Sequence, residues 1–111
     1  MRYREPRFPC ALRVMALGER GRIFCEIINI SRNGARIAGV SGLRLGEVLA
    51  LELSPGVAPL RAEVRWLRDG MAGLRFAQAL SPGAVARLRG MTQGIAPPAW
   101  AGHHAGVREM R

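Results

Sequence analysis

Turn-forming residues cut this chain into short apolar runs, and that punctuation most limits what it can fold into. Gly18-Glu19-Arg20-Gly21, Asn33-Gly34, a loop holding Gly42 and Gly46, Ser54-Pro55-Gly56 and Asp69-Gly70 recur at intervals of roughly 8–12 residues. Between them, six segments read as strands: Phe8 to Leu17, Arg22 to Ile30, Ala35 to Val40, Glu47 to Leu53, Leu60 to Arg68 and Met71 to Phe76. The fifth alternates cleanly, with Leu60, Ala62, Val64 and Trp66 on one face and Arg61, Glu63 and Arg65 on the other. That period of two predicts a strand with one buried face, placing Trp66 in the core. Asn33-Gly34 and Asp69-Gly70 are hairpin signals, because both central positions of a type I′ turn need φ > 0. Then the period changes. Ser81-Pro82 is a helix-starting pair, and Val85, Leu88 and Met91 recur at helical spacing, predicting a short helix over 82–92. The fold class is all-β, a small antiparallel barrel or sandwich closed by one C-terminal helix.

The 111 residues suffice for one modest core. We divide them into an arginine-rich extended arm (1–7), a globular unit (8–92) and a tail (93–111) whose Pro97-Pro98, alanines, glycines and His103-His104 show no periodicity and predict disorder. No apolar run reaches the roughly 20 residues that cross a bilayer, and the N-terminus has no signal-peptide pattern. A cytoplasmic protein without membrane insertion is expected.

Seventeen basic residues stand against eight acidic ones, a formal charge of +9, and every basic residue is arginine. Arginine suits bidentate capture of phosphates and guanine edges, so nucleic acid, an anionic membrane surface or a phosphorylated small ligand are the partners such a charge admits. Catalysis is not expected. No nucleophile, metalloprotease, P-loop or dinucleotide fingerprint is present, and the only histidines lie in the tail. Cys10 and Cys25 lack metal-ligand spacing and read as small buried hydrophobes, neither disulfide-bonded nor zinc-binding.

Binding chemistry concentrates in two places. Arg2, Arg4 and Arg7 crowd the arm just ahead of the first strand. Asn29-Ile30-Ser31-Arg32-Asn33-Gly34 puts an amide and a hydroxyl beside a glycine whose missing side chain lets a ligand approach the backbone. An anion with hydrogen-bonding edges would find partners in that combination.

The order of these features resembles the PilZ domain family: an arginine-rich N-terminal stretch, then a D/N-x-S-x-x-G motif between two strands. Pro6-Arg7, Glu63-Val64-Arg65-Trp66 and Gly73-Leu74-Arg75-Phe76 extend the resemblance from Arg4 to about Met91. The resemblance implies a six-stranded antiparallel barrel with a terminal helix, acting as a non-enzymatic bacterial receptor that binds cyclic di-GMP and relays the signal to a partner protein. It further implies that Arg7 contacts phosphate or guanine, that Asn29 and Ser31 hydrogen-bond the ligand, and that Gly34 shapes the turn. No other cofactor is implied. The family's first motif is RxxxR, and here Tyr3 stands four residues before Arg7, flanked by Arg2 and Arg4, which become the candidates for the second guanidinium. Two other readings compete. One is a PilZ-like adaptor that docks proteins without the nucleotide; the other is a nonspecific nucleic-acid barrel, opposed by the core placement of Trp66 and the 5% aromatic content.

Overall fold

The computed structural model describes residues 5–53 and 58–90. Six strands, β1 (Phe8–Gly18), β2 (Gly21–Ile30), β3 (Gly34–Ala38), β4 (Val48–Glu52), β5 (Leu60–Arg68) and β6 (Met71–Phe76), are followed by one helix, α1 (Pro82–Gly90). They form a closed barrel in the order β1-β2-β3-β6-β5-β4. Every pairing is antiparallel, and the seam is short: Met15, Ala16 and Leu17 of β1 face Glu52, Leu51 and Ala50 of β4. Closure decides for a barrel over a sandwich, and it gives every strand a paired neighbour on both sides. Arm residues 1–4, positions 91–92 of the expected helix and the tail lie outside the described residues. No described helix is long and apolar enough to cross a membrane.

The inward faces fill the barrel with aliphatic side chains. Leu12, Val14, Ile27, Ile30, Ile37, Leu49, Leu51 and Val64 are wholly or almost wholly removed from water. Each such burial is worth about 1.5–3 kcal/mol, the main term holding the barrel together. Ser81 Oγ caps α1 by accepting the Ala84 N–H at 3.0 Å, which is the N3 donor of the helix. Val85 and Leu88 are buried, and the helix packs against β1, where the Arg89 guanidinium sits 4.1 Å from the Phe8 ring centroid. Both cysteines are free thiols. Burial pushes the Cys25 thiol up to about 12, and burial, with Glu26 second, also raises Cys10, so neither is a reactive thiolate near neutrality.

Glu47, expected to open the fourth strand, instead precedes it as a buried clasp. Its carboxylate accepts the backbone N–H groups of Glu19 at 2.9 Å and Arg44 at 3.0 Å, joining the β1–β2 turn to the β3–β4 loop. The third strand ends at Ala38 rather than Val40, because Gly39 takes φ 80° and turns the chain.

Two expectations are overturned. Asp69 and Gly70 do adopt φ 53° and 74° between paired Arg68 and Met71, the geometry of a type I′ turn. Asn33 and Gly34 do not: neither has positive φ, and Gly34 is the first residue of β3. It must be glycine for another reason, since a Cβ there would collide with the Leu74 carbonyl oxygen of β6. Trp66 is not in the core either. Val64 faces Leu74, but Trp66 faces Gly73, so β5 advances two residues while β6 advances one. That bulge moves Trp66 to the outer surface, because a one-residue slip exchanges the faces of a strand.

Candidate functional site

Four cross-strand pairings join one row across five strands. Pro9 faces Asn29, Asn29 faces Arg36, Arg36 faces Gly73, and Gly73 faces Trp66. Their sequence neighbours Ile30, Ala35 and Leu74 point into the barrel, so the row lies on its outer wall. Register irregularities occur between Pro9 and Leu12, between Ile27 and Asn29, and between Val64 and Trp66, so three bulges border this one row. Bulges re-aim side chains, and here they bring an amide, a guanidinium and an indole to one strip of surface.

The end of the arm lies on that strip. Arg7 Nη1 donates to Asn29 Oδ1 at 2.7 Å, and Asn33 Nδ2 donates to Glu5 Oε2 at 2.5 Å. Asn29 is neutral, so it orients the Arg7 guanidinium without cancelling its charge. Two adjoining clefts open between arm and wall, of about 340 and 370 Å³. Both are bordered by Glu5, Arg7, Trp66 and Gly73; the first adds Arg65 and Arg75, the second Arg36. Each falls within the roughly 300–1,000 Å³ range of small-molecule sites, and arginine supplies a third of the lining residues of each.

The expected ligand residues thus separate. Arg7 and Asn29 meet at the cleft. Ser31 is fully buried, its Oγ accepting the Gly34 N–H at 3.2 Å and donating to the Gly34 carbonyl at 3.3 Å. Nearby, the Arg32 carbonyl accepts Leu80 N–H and the Asn33 carbonyl accepts Phe76 N–H, each at 2.7 Å, pinning the turn to the chain leaving β6. Ser31 and Gly34 build the hairpin that holds Asn29 and Asn33 against the arm. Arg2 and Arg4 lie outside the described residues.

Reading the sequence missed Arg36, Trp66 and Gly73. Trp66 is half-buried, lying over Gly73, with Arg36 and Arg68 each 5.5 Å from the ring centroid. A glycine inside a strand is the signal that could have found it, since such a glycine often marks a close approach. The outward position of Trp66 removes the objection to base stacking. A methyl at Gly73 would overlap the indole, so Gly73→Ala should lift Trp66 off the wall at a cost of about 1–3 kcal/mol. In a Trp100→Phe background the emission of Trp66 should shift to the red; unchanged emission and melting temperature would refute the packing described.

Among the described residues, no group of three or more His, Cys, Asp or Glu side chains could hold a metal ion. Comparison with protein-family models matches residues 1–94 to the PilZ domain. Comparison with curated proteins finds no match.

Proposed function

The chain belongs to the PilZ domain family, and from that premise we propose that the arm and the outer-wall row form a receptor site for cyclic di-GMP. The observation that carries this reading is the convergence of three bulges on the row where Asn29 holds Arg7. The family is of the cyclic-di-GMP-binding type, a non-enzymatic receptor domain. The ligand's chemistry suits these residues: two phosphates supply negative charge, and each guanine offers the O6/N7 edge that arginine reads bidentately. Trp66 adds a flat surface for a base at the cleft margin.

In this reading Arg7 binds the ligand directly and Asn29 both aims Arg7 and offers its amide. Ser31 and Gly34 act by fixing the hairpin. Arg4 and Arg2, just ahead of Glu5 in the sequence, are the candidates for a further guanidinium. Ligand uptake would add arm-to-ligand bonds to the Arg7–Asn29 bond and so hold the arm on the wall, and a partner protein that senses the arm would receive the signal.

Titration calorimetry of the chain with cyclic di-GMP tests the proposal. Saturable binding at micromolar ligand or below is expected, weakening as salt screens the arginines. No heat at high micromolar ligand would rule the receptor out and leave the adaptor reading. A salt-dependent gel shift on random DNA with no nucleotide response would instead favour nucleic acid.

A further inference from the structure

Arg36 belongs neither to the arm nor to the hexapeptide, yet it occupies the middle of the row, between Asn29 and Gly73. Its Nε is shielded from solvent and has no hydrogen-bond partner among the described residues. A charged donor left in this condition is costly in a folded protein, and such groups normally find an acceptor. The indole of Trp66, 5.5 Å from the guanidinium carbon, attracts the positive charge but accepts no bond from Nε–H. Arg68 approaches the same ring at the same distance from an exposed position, so the indole does not need Arg36 for a cationic neighbour.

The cleft of about 370 Å³ has Arg7 on its arm side and Arg36 on its barrel side. Gly73, between them in the row, lets the Trp66 indole lie against the sheet beside Arg36. A doubly charged ligand seated there would meet one guanidinium from the arm and one from a strand of the sheet. The strand residue starts from a backbone already ordered by pairing on both sides, so less backbone freedom is lost when it binds.

We propose that Arg36 is a ligand-contacting residue: a shift of the neighbouring Trp66 ring on binding uncovers its unpartnered Nε–H, which with a neighbouring Nη–H forms a two-donor fork for a paired-acceptor edge of the bound nucleotide. This assignment rests on the receptor reading above. Two sources offer such an edge, the non-bridging oxygens of a phosphodiester and the O6/N7 pair of guanine. Lysine cannot reproduce the fork, since its ammonium acts as a point charge.

The test is titration of cyclic di-GMP into the parent chain, Arg36→Met, Arg36→Lys and Arg7→Ala, with thermal melts of each. Arg36→Met and Arg36→Lys should both weaken binding at least about tenfold, while their melting temperatures stay level or rise because a buried unpaired donor is gone. If the parent chain binds and both Arg36 variants bind equally well while Arg7→Ala does not, the Arg36 assignment fails and the receptor reading stands. If the parent chain itself is silent, both fall. A 7-deazaguanine analogue of the ligand separates the two sources. Should Arg36 read the guanine edge, the analogue's penalty in the parent chain disappears in Arg36→Met; should it hold phosphate, the penalty is the same in both.

Discussion

Arg7→Ala should weaken cyclic di-GMP binding by about 100-fold or more while leaving the melting temperature nearly unchanged. Arg7 is exposed and its side-chain hydrogen bond to Asn29 lies at the surface, so the barrel loses little with it. Binding loses two things. A guanidinium contact to an anionic ligand contributes about 1.5–3 kcal/mol, and the arm loses the bond that holds it over the cleft. Arg7→Lys should recover only part of the loss, because it keeps charge but not the fork. Asn29→Ala should weaken binding less, and the double variant should bind like Arg7→Ala alone if Asn29 acts mainly by aiming Arg7. Calorimetry of the parent, the two alanine variants and their combination measures this cycle. An Arg7→Ala chain within about threefold of the parent would show that the arm is not part of the site.

The strands were legible to within a residue or two wherever alternation ended in a glycine-bearing turn. Gly18 and Gly21 flank one hairpin and Asp69-Gly70 makes another, and in both the local chemistry decides the geometry. Closure was less legible, because the β1–β4 seam joins Met15–Leu17 to Ala50–Glu52 across the whole barrel and leaves no local trace. Bulges were not legible at all. The extra residue in β5 has no special composition, and the alternation runs through it so evenly that Trp66 reads as core.

The site was half legible for the same reason. Arg7 and Asn29 stand in a recognisable order along the chain, and the barrel brings them within 2.7 Å. Arg36, flanked by the buried Ala35 and Ile37, reads as any outward arginine of a half-buried strand. Its distinction arises only from neighbours brought together by two bulges and by Gly73. Ser31 was legible as a special position but not as a buried one. Its spacing to Gly34 serves a hydroxyl that closes a turn, and that is a folding requirement that a ligand motif can hide.

Gly34→Ala should damage the fold severely for the addition of one methyl, lowering stability by about 3 kcal/mol, at the upper end of overpacking costs. The added methyl would point at the Leu74 carbonyl oxygen, a backbone atom of the neighbouring strand that cannot swing aside like a flexible side chain. Relief requires β3 to move from β6, which breaks the pairing of Gly34 with Arg75 and Ala35 with Leu74. The same movement loosens the Ser31 turn and the seat of Asn29. For a domain of this size the loss corresponds to roughly 12–24 °C in melting temperature, readable by circular dichroism. A type I′ turn would give a different pattern: L-alanine would cost about 1 kcal/mol and D-alanine would be tolerated. As the first residue of β3, Gly34 suits neither hand. The L methyl meets Leu74, while D-alanine is strained in a backbone without positive φ, which favours L residues. Chemical synthesis of the chain with D-alanine in place of Gly34 therefore discriminates the two causes. A protein carrying that D residue and melting with the parent would restore the turn explanation.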